Sequence, residues 1–290
     1  MPVPISFAPR RKYALTLPSG VLVLGERTLL MGVLNVTPDS FSDGGLFFEP
    51  EKAMAHALEM QRAGADLIDI GAESARPGSR GISAEEELRR LLPVLRGLKR
   101  RLRVPISVDT TKAEVAEAAL RAGAQMVNDI SGLRVDARLA KVARRYEVPL
   151  VLMHMRGTPL TMQQIPPATN IWREIERDLR WSVRQAQKAG LRRTQLVIDP
   201  GMGFGKTVAQ NFEILRELRR LEKFKLPVLI GTSRKSFIGK TLANAPADDR
   251  LMGTAASVTA AILAGAHIVR VHDVAEMLQV VRITDSLLRA

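Results

Sequence analysis

Cysteine is absent from all 290 residues, which excludes disulfides, a thiolate nucleophile and Cys-ligated zinc or iron–sulfur sites. Histidine occurs only as His56, His154, His267 and His272, with no HExxH pair, so any metal must rely mainly on oxygen ligands. Aromatic residues make up 4%, too few for a platform on which single-stranded nucleic acid could stack. No apolar run approaches the ~20 residues that a membrane-spanning helix requires, and the start, MPVPISFAPRRKY, lacks the continuous apolar core of a secretory signal. A cytoplasmic protein without a membrane partner is expected. Asparagine is also scarce, five in the chain, so an Asn at the end of a strand carries weight.

Acidic residues are the minority sign. The formal charge is +13, which would suit a nucleic-acid binder. Position argues against that use. Arg89, Arg90, Arg96, Lys99, Arg100, Arg101 and Arg103, and again Arg216, Arg219, Arg220 and Lys223, are interleaved with Leu at helical spacing, as on solvated helix faces. The positive field is expected to favour small anionic substrates or to have no specific role, and no nucleic-acid partner is expected.

What the chain does contain is an alternation. Tyr13 to Leu17 and Val21 to Leu24 flank Pro18-Ser19-Gly20, a hairpin signal placed to close one end of a core. Eight apolar or β-branched runs then alternate with amphipathic stretches: Leu29 to Asn35, Leu67 to Gly71, Ile106 to Thr110, Met126 to Ile130, Leu150 to His154, Leu196 to Asp199, Val228 to Ser233 and Ile268 to His272. Eight strand and helix pairs without a long polar linker predict one α/β domain, a (β/α)8 TIM barrel over residues 29–290 behind an N-terminal β-hairpin region, 1–28. A weak repeat agrees. RAGADLIDI, RAGAQMVNDI, KAGLRRTQLVID and LAGAHIVRVHD each set a helix-stopping Gly before an even-numbered run, whereas Pro105, Pro149 and Pro227 lead into odd ones.

In such barrels the chemistry gathers at the C-terminal strand ends. The stretch VIDPGMGFGKT shows the pattern: a run ends in Asp199, Pro200 stops it, and Gly201, Gly203 and Gly205 permit turns that side chains forbid. It is neither a P-loop nor GxGxxG, since Pro200 and Lys206 stand where those motifs need glycine. Every other run also ends in a polar group: Asn35, Glu73, Asp109, Asn128 with Asp129, His154, Ser233 to Lys235, and Arg270 with His272. Helix capping accounts for a few such residues, among them Thr110 or Thr111 and Asp273, but not for all eight ends. Asp109, Asn128, Asp199 and Lys235 offer acceptors, an amide and one cation, which suits a flat heterocycle with ring N–H groups and a carbonyl. Asn35, Arg270 and His272 suit phosphate oxygens and a hard cation, with Asn35 as a neutral oxygen ligand. The polar loops VTPDSFSDGG and SARPGSRG are long enough to fold over the site and deliver Phe41, Asp43 and Arg76.

Taken together and in order, MGVLNVTPDSFSDGG, ESARPGS, SVDTTKAEVA, VNDISG, VLMHMRG, DPGMGFGKT, GTSRKSFIG and RVHDV closely resemble the dihydropteroate synthase family of the folate pathway. The resemblance implies a transferase that joins a dihydropterin methyl diphosphate to p-aminobenzoate and releases pyrophosphate, assisted by Mg2+, in a homodimer. It implies that Asp109, Asn128, Asp199 and Lys235 hold the pterin and that Met153 packs on it. Asn35 would ligate Mg2+, Arg270 and His272 would hold the diphosphate, and Arg76, Pro77, Phe204 and Ser233 would border the p-aminobenzoate site, where sulfonamides compete. The family mechanism implied is departure of the diphosphate before attack, with Asp43 stabilising the pterin cation. Ala75 departs from the pattern, standing where the family usually has Thr. The competing readings are a pterin-binding methyltransferase and a non-catalytic pterin-binding relative.

Overall fold

The expected runs are short and apolar on both faces, as strands sandwiched between a barrel interior and surrounding helices must be. The computed structural model describes residues 9–37 and 50–289. In it β1 (Tyr13–Leu17) and β2 (Gly20–Leu24) form the antiparallel hairpin, with Tyr13 opposite Leu24. The remaining strands, β3 (Leu29–Asn35), β4 (Leu67–Gly71), β5 (Ile106–Asp109), β6 (Met126–Asp129), β7 (Leu150–Met153), β8 (Leu196–Asp199), β9 (Leu229–Ile230) and β10 (Ile268–Val271), make one eight-stranded parallel sheet. Its two ends meet where Ile198 bridges Val228 and the Ile198 amide donates to the Pro227 carbonyl at 3.0 Å, closing the barrel.

Nine α-helices stand among the described residues: α1 (Pro50–Arg62), α2 (Ala84–Leu98), α3 (Ala113–Ala122), α4 (Arg138–Arg145), α5 (Ile171–Lys188), α6 (Val208–Arg216), α7 (Ser236–Thr241), α8 (Leu251–Leu263) and α9 (Val274–Arg289). None is long and apolar enough to cross a membrane. The four repeat glycines end helices as expected. Gly64, Gly123, Gly190 and Gly265 take φ of +101°, +121°, +94° and +100°, the region where a side chain would be strained. The three prolines also have a visible reason. Pro105, Pro149 and Pro227 each lend a carbonyl to the preceding strand, to Ile68, Val127 and Ile198, and stand just before β5, β7 and β9, where a missing N–H costs no ladder bond.

Side-chain alternation sorts the strands into two apolar sets. Leu30, Ile68, Val108, Leu152 and Ile198 point outward into the core shared with the helices. Leu29, Leu67, Met126, Val197 and Leu229 point inward and pack with Leu15, Leu17 and Leu24 of the hairpin, which plugs the N-terminal end of the barrel. The plug is pinned from outside. His267 Nδ1 accepts from the Val228 amide at 3.1 Å, which leaves Nε2 to donate to the Arg11 carbonyl at 3.0 Å. Arg10 also pairs with Asp285 of α9 at 2.7 Å.

Strand seven departs from expectation. Val228 to Ser233 was anticipated, but β9 covers only Leu229–Ile230. After Gly231 the Thr232 carbonyl accepts from the Lys235 amide at 3.1 Å and Arg234 turns to φ +57°, so the chain leaves the sheet early. The runs at β5, β6, β7 and β10 each end one residue before the expected position, at Asp109, Asp129, Met153 and Val271.

Candidate active site

With the hairpin filling one end, the inward positions at the other are the polar ones. Neighbouring strands align Asn35 with Gly71, Gly71 with Asp109, and Asp109 with Asn128. Met153 lies beside Asp199 on the far wall. Gly71 keeps this level open, because a Cβ there would lie 3.2 Å from that of Asp109. Asn128, Met153, Asp199, Phe204 and Ser233 are buried, while Asn35, Asp109, Lys235, Arg270 and His272 are partly exposed.

The centre of the cage is a residue from the middle of a strand, not from its end. Asp69, fully buried in the middle of β4, accepts from Arg270 Nε at 2.6 Å and from Asn128 Nδ2 at 2.9 Å. Arg270 Nη2 reaches Asp109 at 2.9 Å, so one guanidinium spans two carboxylates. Burial alone would favour loss of the Arg270 charge, but Asp69 and Asp109 outweigh it and raise the pKa. Asp109 has the longer of the two bonds. Burial, partly offset by Arg270 and reinforced by Asp69, pushes its carboxyl up to about 7. Alternation could have revealed Asp69: in LIDIG it shares the inward face with Leu67 and Gly71.

Across the mouth, burial pushes Asp199 up to about 6, opposed by the Gly201 amide, which donates to Oδ1 at 2.6 Å, and by Lys235. Burial and nearby Arg270 draw Lys235 down to about 8, and its ammonium lies 4.1 Å from the centre of the Phe204 ring. Phe204 in turn packs with Met153, Met155 and Met162, with the Ala75 methyl against them. Where the family usually has a hydroxyl, this chain therefore extends an apolar wall. Ser74 Oγ accepts from the Arg76 amide at 3.4 Å.

Burial, followed by the charges of Arg270 and Arg234, holds His272 down at about 3, so the ring is neutral at physiological pH. Ser233 Oγ accepts from the His272 amide at 3.2 Å and lies 3.0 Å from Nδ1. With the Ser233 hydroxyl donating to Nδ1, the ring proton stands on Nε2; with Nδ1–H donating to Ser233, Nε2 is an acceptor.

The remaining strand-end residues divide differently from the sequence reading. His154 points outward to Asp178 at 3.5 Å, and Asp129 points outward to bind the Ser131 and Leu133 amides. Neither reaches the cage. Arg234 turns to Asp273 and Asp248 on the rim, so the Asp273 carboxylate pairs with Arg234 instead of capping α9. Thr110 does not cap α3 either: its Oγ1 accepts from the Lys112 amide at 3.2 Å in a local turn, Lys112 is the N-cap residue, and the first helical amide, Ala113, donates to Asp136 at 3.0 Å. Arg76 and Pro77 are exposed at the rim. Their loop, anticipated as free to close, is laced down: Gly78 donates to the Pro159 carbonyl at 2.9 Å, Ser79 Oγ to that of Ser74 at 2.6 Å, and Glu73 pairs with Lys112. Lys112 also reaches the buried Glu87 at 2.6 Å. Phe41 and Asp43 lie outside the described residues.

Carboxylate acceptors, an amide and a lysine thus gather at one mouth, a donor and acceptor set that suits a flat, nitrogen-rich ring, with a guanidinium and a neutral imidazole beside it. The family profile described as pterin binding enzyme matches residues 31–272, so fold and mouth together define a pterin-binding barrel. The dihydropteroate synthase of Synechocystis is 46% identical over 265 residues, covering 91% of this chain and 92% of that protein. Two solved structures superpose at TM-scores of 0.89. The Yersinia pestis dihydropteroate synthase in complex with a sulfonamide drug is 42% identical, covering 96% of this chain and all of that one. The Xanthomonas albilineans dihydropteroate synthase with 4-aminobenzoic acid is 40% identical, covering 97% of this chain and all of that one. The chain belongs to the dihydropteroate synthase family.

Proposed function

We infer that the chain condenses (7,8-dihydropterin-6-yl)methyl diphosphate with p-aminobenzoate, giving 7,8-dihydropteroate and pyrophosphate in folate biosynthesis. One observation carries the assignment to this site: Asp109, Asn128, Asp199 and Lys235 line one cage with Arg270 and His272 at its edge. The carboxylates and the amide receive the ring N–H groups of the pterin, Lys235 donates to its carbonyl, and Met153 packs on its face. Pterin binding to Asp109 frees Arg270 Nη2 for the diphosphate, while Nε stays tethered to Asp69. His272, neutral, adds a donor in the tautomer that carries its proton on Nε2.

Asn35 is the candidate ligand for Mg2+. Its side chain is partly exposed at the top of β3, and no cluster of three His, Cys, Asp or Glu able to hold a metal exists among the described residues. A single amide oxygen fits an ion that takes its other ligands from diphosphate oxygens and water. When bound, such an ion neutralises charge on the diphosphate.

The methylene C–O bond breaks with its electron pair leaving on pyrophosphate, the arylamine nitrogen forms the new C–N bond, and that nitrogen sheds one proton. Arg270 and His272 stabilise the charge gathering on the leaving group, where fixed donors are worth most. Phe204 and Pro77 flank the aromatic amine, Ser233 lies at its border, and the exposed Arg76 guanidinium answers its carboxylate. Sulfonamides compete for the same place. We also propose a cytoplasmic homodimer. Its support is the apolar groove between α6, α7 and α8, about 760 Å3, lined by Phe212, Phe237 and Ile238.

The test measures pyrophosphate release from the pterin diphosphate with and without p-aminobenzoate. Release that requires both substrates, together with a product of the mass of dihydropteroate, is expected. Pterin binding without release would instead indicate a non-catalytic relative, and methyl transfer from a pterin donor a methyltransferase.

A further inference from the structure

Lys206 and Thr207 stand together before α6, and Thr207 caps that helix, accepting from the Gln210 amide at 3.2 Å. The Lys206 side chain instead turns back under the glycine loop. Its ammonium donates to three backbone carbonyls: Gly201 at 2.7 Å, Phe204 at 3.0 Å and His154 at 3.3 Å. Those carbonyls converge because Gly201, Gly203 and Gly205 take φ of +70°, +80° and +66°, which turns successive peptide groups inward. A Cβ on Gly201 would collide with the His154 carbonyl, and one on Gly205 would lie 2.7 Å from the Arg156 carbonyl oxygen. The loop is closed from outside as well. Gly203 donates to Asn211 Oδ1 at 2.7 Å, and Arg156, paired with Glu174, donates to the Gly205 carbonyl at 3.1 Å.

Such a cage of oxygens is what a hard cation normally occupies; burial draws the Lys206 amine down to about 7, but three carbonyl acceptors around one nitrogen favour its three-donor ammonium form, a cation covalently attached to the loop. We propose that Lys206 is a positioning residue: its ammonium is the internal cation that shapes the carbonyl cage and so holds Phe204 in place for the aromatic amine. The link is direct. Phe204 is one of the three carbonyls held, its ring lies against Lys235, and it packs in the methionine cluster that walls the amine side. The Asp199 backbone has an anchor of its own in the β7–β8 ladder, where the His154 amide donates to its carbonyl at 2.9 Å. The effect of Lys206 should therefore fall on the amine more than on the pterin.

This inference rests on the condensation reading, and its test separates the two. Lys206→Ala lacks the part of the side chain that n-propylammonium can replace, whereas Lys206→Met keeps the stem without the charge. KM for each substrate and kcat are measured for both variants with millimolar n-propylammonium present or absent, along with Tm and amide hydrogen exchange over residues 201–205. Expected in Lys206→Ala is a rise of about tenfold in the KM for p-aminobenzoate, the scale of one lost charged hydrogen bond, with the KM for the pterin diphosphate nearly unchanged. Propylammonium should restore both that KM and slow exchange in Lys206→Ala but not in Lys206→Met. Equal rises for both substrates, an unchanged KM in either variant, or no restoration in Lys206→Ala overturn the proposal. Should the wild-type chain form no dihydropteroate, the condensation reading fails, and the exchange measurements still decide whether Lys206 orders the loop. Should Lys206→Ala fail to fold, a wild-type KM and wild-type exchange in Lys206→Met overturn the role.

Discussion

Asp69 makes sense of a cluster that would otherwise hold too many charges. A single guanidinium faces two carboxylates, and the buried one takes the shorter bond, 2.6 Å against 2.9 Å. Removing Asp69 leaves Arg270 its longer bond to Asp109 but takes away the charge-assisted bonds from Arg270 Nε and Asn128 Nδ2, a loss of ~1.5–3 kcal/mol for a bond to a charged group. Asp69→Ala is therefore expected to lose about that much stability in a denaturant titration, and an unchanged midpoint would show that Arg270 needs no anchor. Asp109→Asn tests a different property, since the amide keeps the shape but presents a donor where ring N–H groups need an acceptor. Loss of a hydrogen bond to a charged group, ~1.5–3 kcal/mol, weakens pterin binding by about tenfold or more. Calorimetry on the pterin and on p-aminobenzoate separately checks this. Equal losses for both ligands would point to general damage.

One of the contacts that pin the hairpin plug is a histidine whose protonation would break it. Burial, reinforced by Arg10, holds His267 down at about 4, because Nδ1 must remain an acceptor for the Val228 amide. The folded pKa lies below the ordinary 6.5, so the stabilising contribution of the neutral ring is complete above pH 6.5 and is lost as pH falls towards 4. Asp109, Asp129 and Asp199, raised by burial to about 7, 6 and 6, contribute the opposite slope over much of the same range. The informative quantity is therefore the stability difference between wild type and His267→Gln. It should shrink by on the order of 3 kcal/mol between pH 6.5 and 4, and a constant difference in urea titrations would exclude a buried neutral ring.

Across the whole molecule, much of the basic charge proves to sit far from the anion end of the site. Arg62, Arg96, Arg121, Arg145, Lys188 and Arg216 all lie in the last turns of their helices, where a cation complements the helix dipole, and in this barrel those ends surround the hairpin plug. The apolar surface is more local. Phe212 and Leu242 are 43% exposed and Met252 is 78% exposed, all on or beside the groove between α6, α7 and α8. If two copies meet there, a Phe212→Glu, Met252→Glu double variant should sediment as a monomer while keeping its fold by circular dichroism. A wild type that is already monomeric, or a variant that stays dimeric, removes the groove from the interface.

The sequence by itself determined the barrel. Eight apolar runs, the glycines that stop helices before even strands and the prolines that open odd ones are local signals, and each acts through the backbone of its own segment. The cage residues Asp109, Asn128, Asp199, Lys235, Arg270 and His272 were legible for the same reason, since parallel strands bring their C-terminal ends to one mouth. Only the tertiary structure decided which polar groups face that mouth. His154 and Asp129 stand one position from inward-facing Met153 and Asn128, and the two-residue period of a strand sends them outward. It alone also revealed Asp69 as the anchor of Arg270 and Lys206 as the cation of the glycine loop. Asp69 and Arg270 are 201 residues apart, and Lys206 and the His154 carbonyl 52, distances along the chain that only closure of the barrel and folding of its loops could bridge.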